Sequence, residues 1–178
     1  MMKQESWTGG CKSPHIFMMN KINCFDGKYA FLSNYYNSPI HQELSDGSII
    51  EYPTVEHAFQ AAKTLDINER YYIASLPTPG KAKRAGRNVT LRKDWNQIKT
   101  DVMLSFVRGK FEWPDLQKKL LATGDIYLEE GNTWHDNIWG NCSCPRCANI
   151  QGENRLGKIL MQVRQEAKEG RLPVFKDA

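Results

Sequence analysis

The sequence predicts an α+β fold, mainly helical, built as one compact domain with a few short strands. Three observations predict it. Apolar residues recur at helical spacing along much of the 178-residue chain,. Those stretches are bounded by capping residues. The extended stretches between them are few and only a handful of residues long. A hydrophobic content of 40% and a charged content of 25% suit a soluble globular domain with a full core,.

Residues 1–21 are polar, glycine-containing and aperiodic, and read as a flexible N-terminal arm in which Met18 or Met19 is an alternative start,. The domain spans 22–172, and 173–178 form a C-terminal tail. A short extended piece is expected at 22–25, followed by the loop F-L-S-N-Y-Y at 31–36. A strand at 48–52 follows the Asp46-Gly47 turn,. Pro53 ends it and Thr54 caps a helix whose apolar stripe is Val55, Ala58, Phe59 and Ala62,. The T-P-G turn at 78–80 opens a short basic helix at 81–86. Asp94 and Gln97 have capping-box spacing for a helix lined by Ile98, Val102 and Phe106,. Another helix starts near Asp115 and stops at Gly124, a strand covers 126–129, and a cysteine loop follows,. The last helix carries Leu156, Ile159, Leu160 and Val163 and ends near Gly170.

The net charge of +4 permits a phosphate-bearing ligand without demanding nucleic acid,. No apolar run approaches the ~20 residues of a membrane span, and the N-terminus has no secretory apolar region,. Five cysteines, three of them crowded at Cys142, Cys144 and Cys147, do not read as a secreted disulfide framework, so a reducing, cytoplasmic setting is expected,.

Candidate chemistry lies in distinct segments. T-W-H-D-N-I-W-G at 133–140 sets Asp136 between Trp134 and Trp139. A carboxyl among indoles suits reading a flat or cationic group and handling a proton or developing positive charge. Glu56 follows the Thr54 cap and shares a helical stripe with Gln60 and Lys63, next to the apolar face,. Its place near the helix N-terminus favours an ionised carboxylate. His57 is given no role. The run at 75–87 combines the Pro79-Gly80 turn, a helix N-terminus with the Gly80 N–H, and Lys81, Lys83, Arg84 and Arg87,. Lys83 and Arg87 share a face, whereas Lys83 and Arg84 cannot both point the same way. This suits one phosphate or pyrophosphate and lacks the spacing of a Walker loop. Cys142, Cys144 and Cys147 read C-x-C-x2-C, three of the four ligands of a structural zinc, with His135, Cys24, Cys11 or another histidine as the fourth,. Each segment taken alone also fits a structural role: a turn cap, a surface helix residue, a solvated basic helix or a reduced thiol cluster.

Together these stretches resemble the NADAR (YbiA-like) family. The resemblance rests on F-L-S-N-Y-Y (31–36), Y-P-T-V-E-H-A-F-Q-A-A-K (52–63), P-G-K-A-K-R-A-G-R (79–87), L-R-K-D-W (91–95), L-L-A-T-G-D (120–125), G-N-T-W-H-D-N-I-W-G (131–140) and G-E-N-R-L-G-K-I-L-M-Q-V-R (152–164). It implies a compact, mostly helical domain that cleaves N-glycosidic bonds of phosphorylated ribose compounds. One branch of the family acts on early riboflavin-pathway intermediates and another removes ADP-ribose from modified guanine. It implies catalytic roles for Glu56, Asp136 and Trp95, and ribose or phosphate contacts from Ser33, Asn34, Lys63, Lys83 and Arg87. His135 stands where the family often has glycine, and the cysteine-rich insert at 141–150 varies, so no metal carries over.

The chemistry that follows is a hydrolysis in which positive charge builds on the ribose. Glu56 as the ionised group and Asp136 as a proton-bearing acid form the expected pair. Trp95, Trp134 or Trp139 would stack on the leaving base. The expected ligand is a phosphorylated ribose or ADP-ribose compound, with ADP-ribosylated DNA as a further candidate and no membrane partner. No cofactor is expected beyond a structural zinc. The rival class is a module that senses ADP-ribose or NAD without turning it over.

Overall fold

The computed structural model describes residues 20–174, so residues 1–19 of the expected N-terminal arm, Cys11 among them, lie outside the described residues, while Lys21 opens β1. In chain order the elements are β1 (Lys21–Ile22), a 3-10 turn (Gly27–Leu32), β2 (Ile40–Glu43), β3 (Ile49–Tyr52), α1 (Val55–Ala61), α2 (Ile67–Ala74) and α3 (Pro79–Ala85). Then come α4 (Trp95–Phe111), α5 (Pro114–Leu121), β4 (Tyr127–Leu128), β5 (Gly131–Asn132), β6 (Asn141–Cys142), a second 3-10 turn (Pro145–Cys147) and α6 (Arg155–Lys168). The α+β, mainly helical architecture is the one expected.

The longest helix, α4, is the spine. Met103, Phe106, Val107 and Phe111 bury one side of it, against α1 on one flank and α5 and α6 on the other. Leu156, Ile159, Leu160 and Val163 of α6 complete this core, on the stripe read from the sequence. Fully burying side chains of this size stabilises by roughly 1.5–3 kcal/mol each. Among the described residues no helix is long and apolar enough to cross a membrane.

The strands form separate two-stranded pairs: β1 with β4 in parallel, β2 with β3 antiparallel, and β5 with β6 in parallel. The last pair matters most for the site. It sets Gly131 beside Asn141 and Asn132 beside Cys142, and so closes the 133–140 segment into a loop.

Most boundaries fall within a few residues of expectation, and the departures have physical causes. The Thr54 cap is real: its hydroxyl oxygen accepts from the His57 N–H at 3.2 Å. The Asp94 capping box does not form. The Arg92 guanidinium takes the Asp94 carboxylate at 2.6 and 2.9 Å, which leaves no side-chain cap for α4. The strand β2 went unseen because only Ile40 of its four residues is buried; the strand exists through its pairing with β3. The helix α2 also went unseen. It buries only Ile73 and so shows no apolar stripe, although Asp66 caps it by accepting from the N–H groups of Asn68 and Glu69.

Candidate active site

The site is assembled from the start of α1, the 33–36 loop, the last turn of α3, α4 at Lys110 and the 130–140 loop. Glu56 lies in the first turn of α1 and is 6% exposed, not on a solvated face as a residue beside a helix end usually is. Its backbone N–H donates to the Asn34 carbonyl at 3.0 Å, which ties the 33–36 loop to the helix start. Its carboxyl oxygen accepts from the Gln60 side-chain amide at 2.8 Å, one turn on. Burial pushes the Glu56 carboxyl up; the Gln60 hydrogen bond and the charges of Lys83 and Lys63 oppose this, and Asp136 adds to it. Desolvation thus works against the ionised state that the helix end, Gln60 and the two lysines favour,.

A further carboxyl, Glu130, completes the cluster and was missed by the sequence reading. Burial, Asp136 and Glu56 push it up to about 7, with Lys110 and Lys83 opposing. Lys110 is 1% exposed and donates from Nζ to the Ser33 carbonyl at 2.7 Å. Burial pulls its ammonium down to about 7, partly offset by Glu130. The signal for Lys110 was in the sequence: it extends the i, i+4 stripe Ile98, Val102, Phe106, where an apolar residue is due,. Glu130 had no comparable signal, since Glu129 and Glu130 adjoin and alternation alone does not say which is buried.

Asp136 sits among these groups, and its negative charge acts on both Glu56 and Glu130. The expected indole wall is only half present. Trp134 is 44% exposed, while Trp139 packs edge-on against Phe59 at 5.2 Å. One Asp136 oxygen instead accepts from the N–H groups of Ile138 and Trp139, at 3.1 and 2.8 Å. The loop is braced from within by Asn132, whose side chain donates to the Asp136 carbonyl at 2.7 Å and accepts from the N–H groups of Trp134 and Asp136. Asn154 braces Glu130 in the same way, accepting its N–H at 3.0 Å while donating to the Leu128 carbonyl at 2.9 Å.

Among the glycines that close approach requires, Gly140 and Gly86 bear directly on the carboxyls. A Cβ at Gly140 would stand 2.2 Å from the Glu130 carbonyl oxygen, which is backbone and cannot swing aside. Gly140→Ala is expected to cost about 1–3 kcal/mol in a urea melt, with loss of the Glu130 geometry. A Cβ at Gly86 would stand 2.0 Å from Gln60 Oε1, the movable end of that side chain, and 2.9 Å from its Cβ, which must give only slightly. Gly86→Ala should therefore cost less stability than Gly140→Ala while disturbing the Gln60–Glu56 bond. Both variants are checked by the same melt together with turnover.

The cationic side comes from Lys63, just past α1, and from the last turn of α3. Lys63 Nζ donates to the Gly86 carbonyl at 3.4 Å. Lys83 acts on Glu56 and Glu130, and Arg84 and Arg87 both act on Tyr35, whose phenol burial and Glu56 push up to about 12. So Arg84 and Arg87 lie within electrostatic reach of Tyr35, and Lys83 within reach of the carboxyls Glu56 and Glu130. Gly80 lies at the other end of α3, about 9 Å along the axis from Gly86. There Thr78 Oγ1 already caps the helix through the Lys81 N–H.

The remaining expected residues are placed as follows. Ser33 gives its carbonyl to Lys110 and its hydroxyl oxygen to the Tyr35 N–H. Asn34 is buried, with its amide N–H directed to the Met103 sulfur at 3.4 Å. Trp95 is 7% exposed and packs on Phe59 at 5.0 Å. Trp95, Phe59 and Trp139 thus form a continuous aromatic wall along α1. His57 is buried and structural, bonded to Thr54 Oγ1 and the Leu76 carbonyl. Asn34 Oδ1, Gln60 Oε1 and Glu130 Oε2 are buried acceptors with no hydrogen-bond partner in the protein. Buried polar atoms of this kind find their partners in ordered water or in a ligand. His135 and the three loop cysteines also come together, with their ligand atoms within 4.8 Å of one another, close enough to bind a metal.

Fold and site together define a class: a mainly helical α+β domain whose buried carboxyls face the basic end of a short helix. A family model for the NADAR domain matches residues 13–168. The chain is 38% identical over 157 residues to N-glycosidase YbiA of Shigella flexneri, covering 85% of this chain and 91% of that protein. It is 34% identical over 147 residues to the riboflavin biosynthesis protein VVA0006 of Vibrio vulnificus, covering 81% of this chain and 37% of that longer protein. The NMR structure of Escherichia coli YbiA is similar to it with a TM-score of 0.68 at 34% identity, covering 90% of this chain and 92% of that one. The chain belongs to the NADAR domain family.

Proposed function

We propose that this protein is an N-glycosidase that hydrolyses the C1′–N bond of a phosphorylated ribose or ADP-ribose conjugate. The observation that carries the reading is the packing of Glu56, Glu130 and Asp136 close enough to act on one another, two of them desolvated. Like charges brought together this way keep protons on some members and negative charge on others. A glycosidic cleavage needs both: negative charge beside C1′ as the oxocarbenium ion develops, and a proton for the departing base. The names of the Shigella and Vibrio relatives support the bond class.

In this scheme Asp136 supplies negative charge at the sugar, and Glu130 is the proton donor to the leaving base. Glu56, oriented by Gln60, positions the attacking water and takes its proton. This keeps Glu56 as the anion of the first expectation and gives the acid's part to Glu130 in place of Asp136. Lys83 and Arg87, with Lys63 and Arg84 beside them, hold the phosphate. Asn34 and Ser33 face the ribose, and Trp139 and Trp134 flank the base. Trp95 acts through Phe59, as a positioning residue. Cleavage here uses carboxyl groups and water; a metal held by His135 and the loop cysteines would have all four positions filled by protein and would be structural.

The combined Lys83→Ala, Arg87→Ala variant is expected to raise KM for a phosphorylated substrate by about 10²–10⁴-fold with a smaller effect on kcat, since charge-assisted phosphate bonds are worth about 1.5–3 kcal/mol each. Steady-state kinetics check this. The reading itself is tested by incubating the protein with a ribosylaminopyrimidine phosphate and with an ADP-ribosylated guanine oligonucleotide, and measuring free base by chromatography. Base released from either supports the N-glycosidase and selects the substrate branch. Both ligands recovered intact, though bound, would mark a nucleotide sensor.

A further inference from the structure

We propose that His135, Cys142, Cys144 and Cys147 bind one Zn²⁺ in a closed structural site that fixes the loop carrying Asp136. The site is built by the fold and not by sequence proximity alone. The β5–β6 pairing places Cys142 beside Asn132, and Cys144 follows at the strand end. Cys147 is returned to the same point by the Pro145–Cys147 turn, closed by its N–H on the Cys144 carbonyl at 2.9 Å. His135 reaches in from the opposite side of the loop, its Nδ1 at 3.2 Å from Cys144 Sγ and 3.5 Å from Cys147 Sγ.

The dimensions and the chemistry fit zinc. Zn–S of about 2.3 Å and Zn–N of about 2.0–2.1 Å give tetrahedron edges of roughly 3.5–3.8 Å. The four ligand atoms lie within 4.8 Å of one another, so a small inward movement closes the tetrahedron. Three thiolates with one imidazole are a donor set that soft-leaning zinc takes and that magnesium or calcium does not. The cysteines are free, and their residues are 4%, 9% and 6% exposed. Three neighbouring thiols cannot all pair as disulfides, so a local redox staple would leave one over. The surroundings are those of a metal loop as well: the His135 N–H points at Cys142 Sγ at 3.3 Å, and the Cys142 N–H is held by Asn137 Oδ1 at 2.9 Å,.

His135 has φ of +67°, in the left-handed region that a β-carbon disfavours, and a glycine would suit the backbone better,. Ligation explains a histidine there: it spends backbone strain to bring Nδ1 onto the sulfurs. Because Asp136 is the next residue, the metal and the Asn132 braces grip the same turn from two sides. The metal proposal stands apart from the N-glycosidase reading, since its readouts need no substrate.

The test uses the full chain, expressed with zinc in the medium and purified with reductant and without chelator. Elemental and native mass analysis should find one Zn²⁺ per chain. Metal-free protein reloaded with Co²⁺ should show thiolate-to-cobalt charge transfer and tetrahedral d–d bands. Cys144→Ser and His135→Gly should hold at least about fivefold less zinc, whereas Cys24→Ser, outside the cluster, should hold the full amount. Glycine at 135 removes the ligand while relieving the backbone, so a loss there reports ligation and not strain. Amides of 132–148 should exchange at least tenfold faster without metal. Wild-type protein that takes up neither Zn²⁺ nor Co²⁺, or a Cys144→Ser variant with undiminished zinc, would overturn the site. Unchanged amide exchange in metal-free protein would overturn the loop-fixing role. If the variants do not fold, the cobalt spectrum of the wild type still decides.

Discussion

Glu56→Gln is expected to lower turnover by about 10²–10⁴ with the fold intact and binding nearly unchanged. The substitution keeps size and shape in a position where Glu56 is 6% exposed. It also keeps an oxygen for the Gln60 amide, which donates to Glu56 Oε1 at 2.8 Å. What it removes is the ability to take a proton. The effect on stability follows from the direction of the pKa shift. Burial raises the Glu56 carboxyl above its unfolded value, so only between the two values does the native state keep a proton that the unfolded chain has lost. Stability from this group falls as pH rises from the unfolded value through the native one. The glutamine variant escapes that loss and should be as stable as wild type at pH 5 and at least as stable at pH 8. Loss of turnover with retained Tm would place the defect in chemistry. Wild-type turnover in a folded variant would remove Glu56 from the mechanism.

Glu130→Gln is expected to remove the alkaline limb of the pH–rate profile and to lower turnover by about 10²–10⁴. As a proton donor with its carboxyl pushed up to about 7, Glu130 makes kcat/KM fall tenfold per pH unit above about 7,. Glutamine at this position cannot titrate, so the residual activity should be flat across that range. The stability change has a definite sign. The unfolded carboxyl titrates near 4.5 and the native one near 7, so wild type loses stability between those values and not outside them,. A shift of that size corresponds to about 3 kcal/mol. Urea melts should therefore find Glu130→Gln equal to wild type at pH 4 and more stable by up to about 3 kcal/mol at pH 8. Lys110 runs the other way: its cost to the fold is present below about 7 and is relieved as pH rises toward 10.5,.

Local rules read much of this molecule, and non-local ones hid the rest. The Thr54 cap and the α1 and α6 stripes depend on residues three and four apart, and all are present as expected. The hairpin strand β2 depends on a partner ten residues away, and one buried isoleucine is too little to announce it. The site divides in the same way. Glu56 and Asp136 were legible from motif context, but their charge roles were not, because burial and mutual repulsion are three-dimensional quantities. Lys110 was readable as a lysine on an apolar stripe. Glu130 was not, because its burial and the repulsion it meets from Asp136 and Glu56 arise only in the folded chain. The basic turn named the helix that supplies the cations: Gly80 marks the α3 N-terminus, while Lys63 meets the Gly86 carbonyl at the other end, beside Gln60. For the metal loop the sequence supplied three ligands and left His135 among several candidates for the fourth; the chain reversal at 133–142 brings it onto the sulfurs.

The most direct test of the central claim pairs binding with bond cleavage in single turnover. Wild type and Glu56→Gln, each in excess over a phosphorylated ribosyl N-glycoside, are compared by rapid quench and mass spectrometry alongside their Kd. The account predicts equal Kd within a few-fold, free base and phosphorylated ribose from wild type, and intact ligand from the variant. Base release at the same rate from both proteins, or from neither while both bind, would contradict it.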